Sequence, residues 1–285
     1  EAVRLDAQDG EAWFNLGKAR AVLGRGPAAD EAFEKSFALD PARKALALAA
    51  EHQHAGRWGE AEKLCREVLR GEPRNVNALR LLGTCAAHAG RQREAERLLR
   101  RAVAQAPDYA EAQLDLGRLL KEQQRLEEAI AQFEKAIELD PGNFQGHFLL
   151  ASVLAPAARS YDAIEAYRKV LELRPKHPGA WLGLGHMLKT VGRQDEAIEA
   201  YRECIRLKPG NGEIYWSLAN LKTYRLSDLD IEEIEAQLQP EPAADDPDTQ
   251  SRVNFQFALA KAWEDRGDFE RAWRWYEEGN STQRM

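Results

Sequence analysis

A chain of 285 residues with 44% hydrophobic and 31% charged side chains can bury a core and is not disordered by composition. No run approaches 18 uncharged apolar residues, which excludes a membrane-spanning helix, and a formal charge of −7 argues against a general nucleic-acid binder. Three widely spaced cysteines, Cys65, Cys85 and Cys204, exclude a disulfide-stapled fold and a Cys-rich zinc site, and they fit a reducing, cytoplasmic compartment.

In chain order, residues 1–9 read as the second half of a helix from a partial repeat, and a start at Glu1 rather than Met is what a trimmed chain would give. A period then sets in. Glycine followed five residues later by alanine occurs at Gly24/Ala29, Gly56/Ala61, Gly90/Ala95, Gly192/Ala197 and Gly267/Ala272, while Gln124/Ala129 and Ala158/Ala163 keep the alanine and lose the glycine. The alanines at 29, 61, 95, 129, 163 and 197 are spaced by 32 and then by 34 residues, and a proline follows each by twelve, from Pro41 to Pro209. This divides residues 10–211 into six units, 10–41, 42–75, 76–109, 110–143, 144–177 and 178–211.

Each unit predicts two helices. Trp13, Leu16, Gly17 and Arg20 share one face of the first, Ala29, Phe33 and Ser36 one face of the second, and Asp40-Pro41 stops it. The same faces recur as Leu79-Leu82-Gly83-Ala86 with Ala95-Leu99-Ala102, and as Trp181-Leu184-Gly185-Leu188 with Ala197-Tyr201-Cys204. Helices packed about 8 Å apart need a small residue at the crossing, and each buried large side chain beside it contributes about 1.5–3 kcal/mol. No unit can bury its own face, so stability comes from stacking on neighbours. Pro156 shortens the first helix of the fifth unit and makes "APAARS" a long turn. Residues 212–238 form a degenerate unit, in which "GEIYWSLANLKTY" fits a first helix and the second, from about Asp228 to Leu238, lacks the alanine and proline. Residues 239–252 read as an acidic, Pro-rich linker and helix start, with Asp246-Pro247-Asp248 as the start signal; residues 226–250 hold nine acids and no base, so the acidity is local. Residues 253–285 are a terminal unit and tail, anchored by Leu259, Ala260, Gly267, Ala272 and Tyr276.

The string "AEAQLDLGRLLKEQQRLEEAIAQFEKAIELDPGN" (110–143) is similar to the tetratricopeptide-repeat consensus along its whole length. The resemblance covers nearly the whole chain and implies an all-α, right-handed α-solenoid superhelix of helix-turn-helix repeats. It implies that first helices line an inner groove holding a protein or peptide, through offsets two, five, six, nine, twelve and thirteen of each unit. Here these include Asn15, Lys18, His54, Arg80, Thr84, His88, Arg118, Lys121, Phe148, Ser152, His186, Lys189 and Asn220. The charges among them, Arg80, Arg118, Lys121 and Lys189, would suit an extended ligand acidic at some positions, although solvated helix faces carry charge in any case. A carboxylate clamp of the kind some members carry is disfavoured. Lys18 and Asn15 begin one, but the next unit offers Ala47 and Ala50. The asparagine ladder of O-GlcNAc transferases is reduced to Asn15.

Catalytic chemistry is not legible. The six histidines are scattered, and His54 and His88, equivalent in adjacent units, lack further metal ligands. Cys65 and Cys204 fall on packing positions. "GLGHML" (183–188) lacks the third glycine of a dinucleotide loop, and no phosphate-binding loop of the G-x-x-x-x-G-K-[ST] type occurs. The reading is a chain without catalytic residues, metal or cofactor, contacting neither nucleic acid nor membrane.

Two segments, "EIYWSLANLKTYRLSDLDIEEIEAQL" (213–238) and "NFQFALAKAWEDRGDFERAWRWYEEGN" (254–280), resemble the junction in bacterial tetratricopeptide-containing sulfotransferases, where the repeats lead into a C-terminal catalytic domain. The match rests on Trp216–Tyr224 and on Phe257, Ala258, Leu259, Ala260, Lys261, Glu264, Asp265, Gly267, Asp268, Tyr276, Gly279 and Asn280. It implies a docking part of a longer enzyme, since no phosphosulfate loop is present. Trp263, Trp273 and Trp275 are the candidate interdomain contacts. Trp273 and Trp275 cannot share one helix face, so at least one points outward, unless Trp275 caps the array's end. A free-standing adaptor that assembles a multiprotein complex is the alternative.

Overall fold

Alanine, leucine, glutamate and arginine, all strong helix formers, fill the stretches between turn signals, and those stretches are too long for strands. The computed structural model describes Val3 and residues 6–239 and 249–284, and among these it has sixteen helices and no strand. The chain divides into two units, Glu1–Asp140 and Pro141–Met285. In unit one, α1 (Gly10–Val22) pairs with α2 (Gly26–Leu39), α3 (Pro41–His54) with α4 (Trp58–Gly71), α5 (Val76–His88) with α6 (Gln92–Gln105), and α7 (Ala110–Glu122) with α8 (Leu126–Leu139). These four helical hairpins stack in chain order. Unit two holds the pairs α9 (Phe144–Leu154) with α10 (Ser160–Leu173) and α11 (Pro178–Thr190) with α12 (Gln194–Leu207). They are followed by α13 (Gly212–Ala219), α14 (Asp228–Leu238), α15 (Thr249–Asp265) and α16 (Phe269–Arg284).

Caps fix the helix starts. Asp9 accepts from the N–H groups of Glu11 and Ala12, Asn75 from Ala78, and Asn143 from Gln145 and Gly146. Asp40 ends α2, and Pro41 opens α3 at a position where the missing N–H is not needed. Between the helices of each hairpin the chain passes through a left-handed residue. Glycine supplies it at Gly24, Gly56, Gly90, Gly192 and Gly267; in the two repeats that lack the glycine, Gln124 (φ +60°) and Ala158 (φ +58°) adopt it instead.

At the helix crossings glycine is required sterically. A Cβ on Gly117 would lie 2.5 Å from the ring of Phe133, which is wholly buried. Gly17, Gly83 and Gly185 meet Phe33, Leu99 and Tyr201 in the same way. The last hairpin reverses the arrangement, with Gly279 of α16 against Phe257 of α15. On the outer face an ion-pair pattern repeats at 34-residue spacing: Arg66–Glu94 (2.9 Å) and Arg91–Glu62 (2.6 Å), then Arg100–Glu128 (3.0 Å) and Arg125–Glu96 (2.7 Å). These pairs are partly exposed and contribute at most about 1 kcal/mol each.

The structure corrects one expectation in the 212–238 segment. The first helix of the 212–238 segment ends at Ala219 rather than reaching Tyr224. It packs on α15: Gly212 N–H donates to Ser251 Oγ (2.7 Å), a Cβ at Gly212 would fall 2.1 Å from the Ser251 carbonyl, and Tyr215 meets Phe255. The following helix then starts from a capping box between Ser227 and Asp230, and buried Asp230 pairs with Arg202. The first helix of the terminal hairpin is described from Thr249, within the 239–252 stretch expected to hold the helix start. At Pro156 the chain behaves as anticipated, with α9 ending at Leu154 and residues 155–158 forming a turn. The Asp246-Pro247-Asp248 signal lies outside the described residues; of the helix expected over 1–9, Val3 is helical, residues 6–9 instead form a turn that ends in the Asp9 cap, and residues 1, 2, 4 and 5 lie outside the described residues. No helix among the described residues is long and apolar enough to cross a membrane.

Candidate functional site

Unit one carries a groove of about 480 Å³ lined by the first helices of all four hairpins. From α1 it takes Glu11, Phe14, Asn15 and Lys18; from α3 Arg43, Leu46, Ala47 and Ala50; from α5 Asn77, Arg80 and Leu81; and from the start of α7 Tyr109 and Glu111, with the cap residues Asp40 and Asn75 at its edge. Its cause is local. At offsets six and nine the helices carry Asn15 and Lys18, Leu81 and Thr84, Asp115 and Arg118, but α3 carries Ala47 and Ala50. Two methyl groups where neighbours place longer side chains leave a recess.

Three of the six charged side chains lining the groove, Asp40, Arg43 and Arg80, are held by the protein itself. Arg43 Nε donates to Asp40 (3.2 Å) and its Nη1 to the Gly10 carbonyl (3.2 Å), with the guanidinium 5.3 Å from the centre of the Phe14 ring. The Lys18 ammonium lies 5.0 Å from that same ring centre and makes no ion pair among the described residues. Arg80 donates to Asp115 (2.8 Å), which also accepts from Arg118 (2.6 Å) and is itself buried. Tyr109 donates to Asn77 Oδ1 (2.6 Å), and burial raises its phenol above the ordinary value.

Of the sequence-predicted residues, the structure gathers Asn15, Lys18 and Arg80 here. Thr84 and Arg118 line a second, smaller recess of about 270 Å³ with Trp58, Asp115, His88 and Glu122; His88 stacks on Trp58 at 4.0 Å. Lys121, half-buried, has its pKa lowered by burial. His54, exposed at the end of α3, lines neither recess, and the remaining residues lie in unit two and do not gather into one site. Phe148 packs against Tyr167 and His177, Ser152 donates to the Leu149 carbonyl, and Asn220 donates to the Trp216 carbonyl. His186 contacts Tyr201 Oη through Nδ1 (2.9 Å) and Glu213 through Nε2 (3.4 Å), while Lys189 is exposed. The groove also takes Glu11, Arg43, Asn77 and Glu111, the offset-two row expected to face it though not named individually, and Phe14 at offset five; Tyr109, outside the expected offsets, was not anticipated.

At the C-terminal hairpin it is Trp273 that points outward, 68% exposed, one turn after exposed Phe269, while Trp275 is half-buried. Trp273 lines a recess with Tyr276, Asn280 and Arg284; Trp263 does not, and carries the guanidiniums of Arg266 and Arg271 at 5.3 and 4.5 Å from its ring centre. No group of three or more metal-ligating side chains occurs among the described residues.

The tetratricopeptide-repeat family matches residues 89–144 and 148–212, a second form of the repeat matches 52–114, and a third 253–278, together more than half of the chain. The chain belongs to the tetratricopeptide-repeat proteins. Among solved structures, one of MamA AMB-1 is 26% identical and superposes with a TM-score of 0.53, over 58% of this chain and 98% of that one. A further crystal structure of MamA is 24% identical (TM-score 0.52, 56% and 94% covered). MamA residues 41 to the end from Desulfovibrio magneticus RS-1 are 20% identical (TM-score 0.53, 60% and 96% covered). These likenesses concern the fold. No curated protein matches the chain at a significant level.

Proposed function

We propose that this tetratricopeptide-repeat chain is a non-catalytic interaction scaffold that holds an extended protein segment in the groove of unit one. The observation that carries the reading is the recess over Ala47 and Ala50, open to solvent, rimmed by polar side chains and formed by rigid stacked helices. A pocket of this size lies in the range that small ligands and peptide side chains occupy. No bond is made or broken in this role, and no cofactor is needed. Selection from a random peptide display library tests it. Selected peptides bind the native chain and lose binding to the Ala47→Arg/Ala50→Arg variant; binders indifferent to that variant, or no binders at all, would sink the proposal.

A second reading places the chain as the docking part of a longer sulfotransferase acting in the cytoplasm. It is supported by the resemblance of 213–238 and 254–280 to that family's junction. Three buried, unpaired thiols are in keeping with a reducing compartment. Here the outward Trp273 would be the contact to the catalytic domain. Sulfate transfer from phosphoadenosine phosphosulfate is then expected from a longer native chain and not from residues 1–285; activity in the latter alone overturns the non-catalytic assignment. A stop codon directly after Met285 would favour the free-standing adaptor.

A further inference from the structure

Resting on the reading of the unit-one groove as the binding face, we infer that it selects peptides in which a large apolar side chain stands next to an acidic one. The apolar half follows from shape. Ala47 and Ala50 floor the recess, and the side chains of Leu46 and Leu81 and the Phe14 ring flank it. An alanine pair bordered by larger apolar groups is a socket for one bulky residue, and an aromatic anchor of the kind that dominates interface energetics fills it with few rotamers lost.

The acidic half follows from which charges remain unpaired. Two cations lie over the same ring, Lys18 and Arg43 at 5.0 and 5.3 Å from the centre of Phe14. Asp40 and the Gly10 carbonyl engage Arg43, but no acid among the described residues engages Lys18. Lys18 stands at offset nine, level with Ala50 in the neighbouring helix, so a carboxylate adjacent to the anchor meets it. The unpaired acids of the groove, Glu11 and Glu111, sit at the N-terminal ends of α1 and α7. Seven residues separate Glu11 from Lys18, about 10 Å along the helix. The ligand's acid is therefore drawn to one end of the groove and repelled from the other, which also sets its polarity. Asn15, one turn from Lys18, makes no side-chain hydrogen bond among the described residues and has a donor and an acceptor to offer the ligand's main chain.

The test uses the full 285-residue chain and fluorescein-labelled eight-residue peptides with Gly-Ser flanks and central pairs Phe-Glu, Glu-Phe, Phe-Lys, Lys-Phe and Ala-Glu, read by anisotropy. One of the two Phe/Glu orders is expected to bind at least about tenfold more tightly than Ala-Glu and either Phe/Lys peptide, the scale of one charge-assisted contact or one buried side chain. Lys18→Glu reverses the preference toward Phe/Lys, and Ala50→Trp removes the difference between Phe-Glu and Ala-Glu; thermal midpoints matching the native chain show that both variants fold. Equal binding of Phe/Glu and Phe/Lys peptides, or a preference unmoved by Lys18→Glu, overturns this inference. Library-selected peptides that bind in the groove without this signature overturn it and leave the scaffold reading standing. Absence of binding by any peptide, selected or designed, overturns both.

Discussion

Replacing Ala158 by glycine should stabilise the protein, although it removes a side chain and adds freedom to the unfolded chain. Ala158 sits at φ +58° in the turn between α9 and α10, where four other hairpins with the same connection, and the terminal one, use glycine. The turn is locked by the same closure in each: Arg159 N–H donates to the Leu154 carbonyl (3.0 Å), as Arg57 N–H does to His52 (2.7 Å) and Arg193 N–H to Leu188 (2.9 Å). The left-handed conformation costs an L-residue about 1–2 kcal/mol, and glycine returns about 0.4–1 kcal/mol of that through the unfolded state. The Ala158 methyl is exposed, so its loss costs no packing. The net gain is about 0.5–1 kcal/mol, or about 1–4 °C in melting temperature for a region of this size. Gln124→Gly should behave alike in unit one. The reciprocal control is Gly192→Ala: a Cβ there meets nothing within 4 Å, so only backbone strain is introduced and an equal loss is expected. Melts followed by circular dichroism give all three values. A loss of stability in Ala158→Gly, or a neutral Gly192→Ala, would refute the strain argument.

Gly117→Ala should destabilise by about 1–3 kcal/mol, because its Cβ would press on buried Phe133, and adding Phe133→Leu should recover part of this; urea midpoints decide. Asp115→Asn should cost about 2–3 kcal/mol, since a buried carboxylate accepts from both Arg80 and Arg118, and a cost below about 0.5 kcal/mol in the same assay would show the network to be idle. Burial holds the pKa of His186 below the ordinary 6.5, with the Glu213 carboxylate opposing in part. The unfolded chain therefore binds the proton first as pH falls. Stability contributed by neutral His186 is complete above about pH 6.5 and declines below it toward the lower folded value, and His186→Gln should flatten that part of the profile. Burial pushes Cys65 up to about 12 and Cys204 up to about 11, and raises Cys85. Iodoacetamide at pH 8 should leave all three unmodified in the native chain and alkylate all three in urea, as mass spectrometry would show.

How far the fold could be read from sequence is plain at the two kinds of position that recur. Gly117 and Phe133 are spaced as Gly17 and Phe33 are, three repeats further along the chain, and a crossing of helices leaves little else for such a pair to do. The turn glycines were equally visible, and the two departures from them kept the turn because the hydrogen bonds on either side dictate it. The segment 212–227 was legible only in part. Its apolar spacing suits a helix as far as Tyr224, but Leu221 and Leu226 are buried in the turn that follows Ala219, and Ser227 with Asp230 starts a new helix. Periodicity cannot distinguish a residue buried by a helix from one buried by a turn folded onto a neighbour.

The groove was harder to read because its depth comes from absence. Ala47 and Ala50 counted against a carboxylate clamp when they were treated as missing ligands, yet the same two residues produce the recess. A search for chemistry-bearing side chains passes over small ones. The offset-two row was legible as a groove-facing position but not as part of a particular recess: Glu11, Arg43, Asn77 and Glu111 are ordinary surface residues in one dimension, and stacking the hairpins sets them along one rim. Conversely Arg80 and Arg118, chosen as free charges, are drawn to Asp115. Among the described residues, the groove cation that makes no ion pair is Lys18, next to the two alanines. In a stacked-helix protein a site is therefore better sought as a local dip in side-chain size across successive equivalent positions, bordered by a charge that finds no partner, than as a concentration of charged residues.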